Sequence, residues 1–190
     1  HRAHEHIQFA ALADQYCDGL FIHPVTGPKK TGDFSREIIL KTYQLLIEQY
    51  YPANKAVLGS FASYSRYAGP REALFTALCR KNFGCSHFIM GRDHTGVGRY
   101  YSPTASQRLL EEVGDIGIQP VFFSEVYYCQ RCRAHVEHCG HGRKFSEQIS
   151  GTQVRETLRR GEMLPDWHMR ESLSRVILDE LRNGGEVFVA

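Results

Sequence analysis

The chain has 190 residues, of which 42% are hydrophobic and 23% are charged. This length and composition predict one globular domain, or one domain with an appendage, that buries a substantial core. The formal net charge of +2 gives no electrostatic footprint for nucleic acid or for a membrane surface. The sequence shows no signal peptide and no apolar run of about 18 residues, so we expect a cytoplasmic protein.

Helix and strand signals alternate along the chain. Apolar residues at helical spacing, and Pro or Gly at helix ends, predict helices over 2–16, from about Ser35, from Pro70 to Gly84 and from Ser102-Pro103. Short apolar runs between them predict strands at 19–24, 55–61, 86–91 and 118–123. The alternation indicates βαβ units, and therefore an α/β fold with a parallel sheet and helices on both faces. Ligands of such sheets lie beyond the carboxyl ends of the strands, near helix N-termini.

The stretch "GRDHTGVG" (91–98) directly follows the third predicted strand. Its glycines let the backbone approach a ligand closely, and Arg92 offers a planar fork for an oxyanion. The alternative is a polar turn in which Arg92 and Asp93 form a surface ion pair. Similarly, "SRYAGPRE" (65–72) follows the second strand, and its arginines either meet an anion or cap the next helix.

Two helix starts carry groups that suit phosphate. In "ISGTQVRETLRRG" (149–161), Ser150 predicts an N-cap, with Gln153 completing a capping box. The free N–H groups of that turn could cradle phosphate, or the turn is simply well capped. His1 and His4 lie three residues apart at the start of the first helix and share one face. A histidine pair there favours a role on an anion.

The cluster "CQRCRAHVEHCGH" (129–141) contains three cysteines and several histidines. Cys129, Cys132, Cys139 and His141 suit tetrahedral Zn²⁺, and four protein ligands would make the site structural. His135 and His138 compete for the fourth position. The alternatives are a reduced loop without metal and a redox Cys-x-x-Cys.

Several stretches together resemble one family: "HRAHE", "GPKKTGD", "RYAGPREA", "RKNFG", "HFIMGRDHTGVG" and "ISGTQVRETLRRGEMLPDW". They look like the catalytic domain of ATP sulfurylase (sulfate adenylyltransferase), and the match runs through nearly the whole chain. The resemblance implies a Rossmann-like sheet of the HIGH-type nucleotidylyl transferases. It also implies a reaction of sulfur metabolism and sulfate assimilation, in which ATP and sulfate give adenosine 5′-phosphosulfate and pyrophosphate, or the reverse.

The resemblance assigns roles residue by residue. His1 and His4 would contact the triphosphate and stabilise its developing charge, and Arg92 would bind sulfate and act with them in catalysis. Thr95 would add to the sulfate pocket, although the family usually has Ala there. Further ATP and phosphate contacts would come from Gly91, Asp93 and His94, and from Ser150, Gly151, Thr152 and Arg155. Lys30 and Asp33 match a loop motif to which no firm role is assigned.

The chemistry predicts direct attack of a sulfate oxygen on the α-phosphorus, since no covalent nucleophile is visible. Mg²⁺ would arrive with ATP, because the sequence shows no carboxylate cage. By resemblance, a short zinc-binding loop occurs at the same place in bacterial and archaeal members, and the protein is a homo-oligomer. Two alternatives stay open: a nucleotide-binding regulatory domain without turnover, and another adenylyl transferase of the superfamily.

The resemblance also predicts a domain division. It gives a catalytic core over 1–125, a zinc-binding loop over 126–145, and a phosphate-side helix with a C-terminal helical segment over 146–190. In the family, the first strand and a Gln-Thr-Arg-Asn-Pro stretch precede the histidine pair, and here they do not. We therefore expect an N-terminally truncated chain that is itself a poor catalyst.

Overall fold

A computed structural model describes the protein at residues 1–13, 17–91 and 100–190. Within these residues the helices are α1 (Arg2–Ala13), α2 (Arg36–Tyr50), α3 (Pro70–Asn82), α4 (Ala105–Val113), α5 (Gly151–Arg159) and α6 (Glu171–Arg182). The strands are β1 (Leu20–Ile22), β2 (Ala56–Leu58), β3 (His87–Met90), β4 (Gln119–Phe122), β5 (Tyr127–Cys129), β6 (Ala134–Val136) and β7 (Ser146–Glu147). The predicted α/β class with parallel strands is confirmed.

The described chain divides into two compact units. The first unit holds His1–Ala13, Asp18–Tyr64 and Val126–Ala190, and the second consists mainly of Ser65–Glu125. The domain division inferred from the sequence stays a prediction.

Each unit contains one parallel strand pair. In the first unit β1 pairs with β2, with Leu20 opposite Ala56 and Ile22 opposite Leu58, and α2 connects the two strands. In the second unit β3 pairs with β4, and α4 makes the connection. In the described residues these strands therefore form two separate pairs. One continuous Rossmann-like sheet stays a prediction.

The regular strands are shorter than the apolar runs that predicted them. In the first unit the ladder ends at Ile22, because Pro24 has no N–H to donate. The two chains continue side by side with irregular bonds: the Gly59 N–H donates to the Ile22 carbonyl at 2.8 Å, and the Phe61 N–H donates to the Pro24 carbonyl at 3.0 Å.

Helix α2 begins at its predicted cap, whereas α4 begins later than the sequence predicts. The Ser35 hydroxyl accepts a hydrogen bond from the Ile38 N–H at 3.3 Å and begins α2 where the sequence predicted. The predicted start of α4 at Ser102-Pro103 is two residues early. The Ala105 N–H donates to the Ser102 carbonyl at 2.9 Å, so Pro103 lies in a turn before the helix. The predicted extension of α1 through 14–16 lies outside the described residues.

The core of the first unit forms around α2 and α6. One cluster joins α2, α5 and α6 through buried apolar side chains, including Ile38, Val154, Leu158 and Ile177. A second cluster packs β1 on α2 and α6 through Ile22, Leu46, Tyr51 and Leu173. In the second unit, Ala73, Met90 and Leu110 join α3, β3 and α4. None of the helices in the described ranges is long and apolar enough to cross a membrane.

The predicted zinc-binding loop is a small antiparallel sheet. β5 is its central strand and pairs with both β6 and β7. Tyr128 lies opposite His135 on one side, and Cys129 lies opposite Ser146 on the other. Of the four predicted metal ligands, Cys129 ends β5, Cys132 lies in the turn between β5 and β6, and Cys139 and His141 follow β6.

Candidate functional site

The structure brings the two predicted histidines together. His1 directly precedes α1, His4 lies in its first turn, and both side chains are exposed. Their ring centroids are 4.0 Å apart. The His4 N–H donates to the His1 carbonyl at 3.0 Å, which fixes the backbone between them. Two exposed imidazoles at a helix N-terminus can donate hydrogen bonds to an anion, and the ligand they bind stays a prediction.

Below this pair, α1 is held by a buried ion pair. Glu5 is 4% exposed, and its carboxylate accepts a hydrogen bond from Nε of Arg170 at 2.8 Å. The Arg170 guanidinium also lies over the Tyr50 ring, 3.7 Å from its centroid. Further along α1, Gln8 accepts a hydrogen bond from the Tyr51 hydroxyl. These contacts fix the helix that presents the histidines.

The histidine pair also lines a cavity of about 140 Å³. The rest of its lining is Glu5, Gln8 and mostly apolar side chains of α2 and α6. A triphosphate needs charged groups and N–H donors on all sides, which this lining does not offer. The cavity is therefore a packing feature of the first unit, and the exposed faces of His1 and His4 are the ones open to an anion.

The start of α5 has the predicted geometry. The Ser150 hydroxyl accepts from the Gln153 N–H at 3.2 Å, and the Gln153 side chain accepts from the Ser150 N–H at 2.9 Å. The capping box is therefore confirmed. N–H groups in the first helical turn have no acceptor within the helix, so those of Gly151 and Thr152 face outward from an exposed turn. This turn can bind an anion.

The loop with Lys30 and Asp33 lies next to α5, although about 120 residues separate them in the chain. Arg155 Nη1 is 3.8 Å from an Asp33 carboxylate oxygen, and Arg159 donates to the Gly32 carbonyl at 3.3 Å. Lys29 Nζ donates to the Val25 carbonyl at 2.5 Å, and burial lowers the pKa of this amine. Lys30 is exposed, and it adds positive charge beside the turn that begins α5.

The same loop is paired with the last residues of the chain. The Ser35 N–H donates to the Val187 carbonyl, the Val189 N–H to the Asp33 carbonyl and the Gly32 N–H to the Val189 carbonyl, each at 2.8 Å. Phe34 and Phe188 also stack, with centroids 5.1 Å apart. This segment gives the loop its shape.

In the second unit, Glu72 organises the "SRYAGPRE" turn. Its buried carboxylate accepts from the Arg66 N–H at 2.8 Å and from the Ala68 N–H at 3.0 Å. The Arg66 guanidinium lies over the Phe75 ring at 4.8 Å. Gly91 follows β3 at its carboxyl end, as predicted. The remaining predicted residues of that loop, Arg92, Asp93, His94 and Thr95, lie outside the described residues.

The Cys₃His cluster has the dimensions of a zinc site. Its four ligand atoms, from Cys129, Cys132, Cys139 and His141, all lie within 4.8 Å of one another. Sulfur to sulfur is 3.6 Å for Cys129 and Cys139, and Cys132 Sγ lies 3.3 Å from Nδ1 of His141. Tetrahedral Zn²⁺ requires about 3.8 Å between sulfurs and about 3.5 Å between sulfur and nitrogen. The donor set therefore fits the metal, and among the described residues neither His135 nor His138 belongs to the cluster.

Hydrogen bonds within the cluster set the protonation of its thiols. Hydrogen bonds, chiefly the one with Tyr127, lower the pKa of the Cys139 thiol to about 6. A hydrogen bond with Cys129 raises the pKa of Cys132 to about 11. Metal ligands must be deprotonated, so binding releases the Cys132 proton and strengthens as pH rises.

Sequence reasoning missed the segment that supports α1. Arg170 and His168 lie more than 160 residues from the α1 residues that they contact, Glu5 and Arg2, and no local pattern marks them. His168 is 9% exposed, its carbonyl accepts from the Arg2 N–H at 2.9 Å, and its ring centroid is 5.5 Å from that of His1. His23 follows β1 directly, and the apolar run that predicts this strand does not single it out. Its place at the carboxyl end of a parallel strand was the available signal.

Comparison with known proteins identifies the relatives of this chain. A sulfate adenylyltransferase of Pyrococcus abyssi (strain GE5 / Orsay) is 48% identical over 179 residues, which are 93% of this chain and 47% of the relative. The sulfate adenylyltransferase of Staphylothermus marinus is 47% identical over 180 residues, 94% of this chain and 47% of the relative. The chain thus spans about half the length of the curated relatives it matches.

A solved structure shares the fold of this chain, and a family model matches most of its length. The structure titled "Hexameric APS kinase from Thiobacillus denitrificans" shares the fold with a TM-score of 0.65 at 22% identity, over 96% of this chain and 34% of that one. The ATP-sulfurylase family model matches residues 1–180. That match covers both histidines, the "GRDH" loop, the Cys₃His cluster and the start of α5, so the chain belongs to the ATP-sulfurylase family.

Proposed function

We propose that this chain carries the catalytic machinery of a sulfate adenylyltransferase, which joins ATP and sulfate into adenosine 5′-phosphosulfate and pyrophosphate, or runs in reverse. The observation that supports this most directly is the family match over residues 1–180. The structure adds two groups that suit an anion within the first unit, the exposed His1–His4 pair and the capped start of α5 with Arg155. α2 and α6 pack against both.

In the proposed reaction a sulfate oxygen attacks the α-phosphorus, a new S–O–P bridge forms, and the bond to the β-phosphate oxygen breaks. Negative charge then builds up on the departing pyrophosphate. His1 and His4 donate hydrogen bonds to the triphosphate where this charge develops. Arg92 binds sulfate by a bidentate contact, with Thr95 beside it. Binding places the attacking sulfate oxygen in line with the bond that breaks. The reaction therefore needs no covalent nucleophile from the protein.

The other proposed contacts hold the nucleotide. Gly91, Asp93 and His94 follow β3 and bind ATP there. Ser150, Gly151, Thr152 and Arg155 form the phosphate side at α5, with Lys30 nearby. Mg²⁺ enters as part of the ATP substrate. We further propose that the fold is the Rossmann-like fold of the HIGH-type nucleotidylyl transferases and that the protein is a homo-oligomer.

The cysteine cluster is proposed to hold one structural Zn²⁺. Cys129, Cys132, Cys139 and His141 would bind it, and the ion would lock β5 to the turns on either side of β6. Four protein ligands leave no open position for substrate. The distances between the ligand atoms support this ion over a redox pair of two cysteines, since all four ligand atoms lie close enough together to surround one ion.

Two assays on two proteins test the function. The first protein is the chain itself, and the second is the Pyrococcus abyssi relative with its matching segment replaced by this chain. Pyrophosphate release is measured with sulfate and with other acceptors, and ATP binding is measured alongside. We expect the hybrid to release pyrophosphate only with sulfate.

Any other result of these assays would point to a different role for the chain. A folded hybrid that binds ATP without turnover would point to a regulatory nucleotide-binding domain. Turnover with another acceptor would point to a different adenylyl transferase. The unmodified relative is the control for assay conditions.

A further inference from the structure

The segment Asp166–Arg170 lies between two features that the proposed function treats separately, the histidine pair and the Cys₃His cluster. All three belong to the first unit. Contacts run from this segment to α1 on one side and to β5 on the other. The segment is therefore in a position to connect the metal cluster with the candidate triphosphate site.

Toward α1, the segment makes four polar contacts and one ring contact, and in one of the four Arg2 Nη1 donates to the Asp166 carbonyl at 3.3 Å. Asp166 pairs with Arg2 at 2.7 Å, the His168 carbonyl accepts from the Arg2 N–H at 2.9 Å, and Arg170 pairs with Glu5 at 2.8 Å. The rings of His168 and His1 are 5.5 Å apart and inclined by 30°. The first turn of α1 is thus held at its backbone, at two charged side chains and at one histidine ring.

Toward the metal cluster, the contact is a ring stack. Trp167 lies parallel to Tyr128, with centroids 5.0 Å apart and planes inclined by 14°. Tyr128 directly precedes Cys129 in β5, and the Trp167 ring meets the His168 ring edge-on at 5.7 Å. Four rings therefore form a continuous series from β5 to the histidine pair: Tyr128, Trp167, His168 and His1.

Within this series His168 is buried and uncharged, while Trp167 and Tyr128 are half-buried. Burial lowers the pKa of His168 to about 4, so the ring is neutral at pH 7. Packed side chains transmit a displacement because protein interiors have few voids to absorb it. A shift of β5 on metal loss would therefore move Trp167, then His168, then the first turn of α1.

We propose that the Cys₃His hairpin positions the His1–His4 pair through Tyr128, Trp167 and His168, so that metal occupancy controls anion binding at the pair. The identity of the anion as ATP rests on the proposed function. In this view Tyr128, Trp167 and His168 are positioning residues, and the metal acts at a distance without touching substrate.

The chain offers a built-in reporter, because Trp167 is its single tryptophan. The first experiment removes metal from the zinc-loaded protein with a chelator and follows Trp167 fluorescence together with the Cε1–H proton resonances of His1 and His4. Single His1→Gln and His4→Gln variants assign those resonances. We expect the fluorescence and both histidine resonances to shift, with ATP affinity lower by about 10-fold, as for other supporting contacts. Amide resonances at the start of α5 should stay in place, which separates repositioning from general unfolding.

Variants then separate the ring stack from the metal. Trp167→Leu breaks the series far from the cysteines, so zinc should stay bound while the His1 and His4 resonances move to their metal-free positions. Tyr128→Phe keeps the stacked ring and should behave as the unmodified protein. Tyr128→Leu should behave as Trp167→Leu.

The outcomes are distinct from those of the proposed function. If metal removal leaves the His1 and His4 resonances unchanged, or if Trp167→Leu still shows the full metal-dependent shift of those resonances, the coupling is wrong. If the resonances shift as expected but ATP binds neither form, the coupling holds and the assignment of ATP to the pair fails.

Discussion

Nε of Arg170 lies 2.8 Å from a carboxylate oxygen of Glu5, and the two side chains are only 19% and 5% exposed. A charge removed from water at such a site depends on its partner, and breaking a buried pair costs about 3–5 kcal/mol. Arg170→Met leaves Glu5 buried and unpaired, so we expect a loss of that size in the free energy of unfolding, measured by urea denaturation. The matched control is Arg175→Met on the same helix.

The control pair is exposed and lies within one helix. Arg175 pairs with Glu171 four residues earlier, and both side chains are more than half exposed. Surface pairs of this kind contribute about 0–1 kcal/mol. Equal losses in the two variants would show that the Glu5–Arg170 pair does not hold α1.

Acid should destabilise the protein through His168. Burial lowers its pKa from 6.5 to about 4, so between these values the unfolded chain binds a proton that the folded chain excludes. Stability from this residue is complete above pH 6.5 and is lost as pH falls toward 4. His168→Phe removes the effect, and its stability should fall less between pH 7.5 and pH 5 than that of the unmodified protein, by about 2 kcal/mol.

Urea denaturation at the two pH values measures this difference. His135, whose pKa burial also lowers to about 4, stays in both proteins, and only its interaction with residue 168 changes. A variant whose stability falls as steeply as before would show that His168 is not the residue that resists protonation.

Metal content should depend on Cys132. Cys132→Ser removes one thiolate of the cluster, so purified protein should contain less than one zinc per chain and unfold at lower temperature. Cys85→Ser, in the second unit and outside the cluster, is the control and should bind zinc as the unmodified protein does. Full zinc occupancy in Cys132→Ser, measured by elemental analysis, would exclude it as a ligand.

At Ser150 the helix cap can be separated from phosphate binding. Ser150→Ala removes the N-cap and should cost about 1 kcal/mol of stability. Ser150→Asp keeps a capping oxygen, so stability should be retained, but its negative charge would repel the phosphate proposed for this turn. We expect ATP affinity to fall in Ser150→Asp while the unfolding transition stays in place, and unchanged affinity would place the phosphates elsewhere.

We predict that Arg92 binds sulfate. In the hybrid with the Pyrococcus abyssi relative, Arg92→Ala should reduce kcat/KM for sulfate by an amount equivalent to roughly 2–4 kcal/mol. Arg92→Lys should recover only part, since the planar fork is lost. Arg175→Ala, an exposed arginine of α6, is the control, and an unchanged sulfate dependence in Arg92→Ala would exclude the role.

Local patterns predicted the parts of the site that local chemistry determines. Ser150 with Gln153 indicated a capping box because both partners lie within one turn. The spacing of the three cysteines indicated their cluster, because a tight turn after β5 brings close neighbours in sequence together. The choice of His141 over two neighbouring histidines depended on the register of β5 and β6, in which His135 lies opposite Tyr128.

Long-range contacts were beyond sequence reasoning. Nothing near His168 or Arg170 indicates that they meet α1, since both are ordinary polar residues in a loop and at its end. The adjacency of Asp33 and Arg155 has the same cause. The pairing of β1 with β2 and of β3 with β4 also depends on which strands lie side by side, and apolar runs do not encode their neighbours.

The pairing of residues 32–35 with Val187 and Val189 has a consequence for how the molecule is made. These bonds close a loop of about 150 residues, one of the slowest kinds of contact to form. On a ribosome, the segment with Lys30 and Asp33 emerges before its native partners and waits until residues 187–189, about 150 residues later, have been synthesised. The capped turn of α5 is complete before then, from its own residues. The two parts of the proposed phosphate-binding surface, the start of α5 and the loop with Lys30 and Asp33, therefore form at different times. The loop forms last.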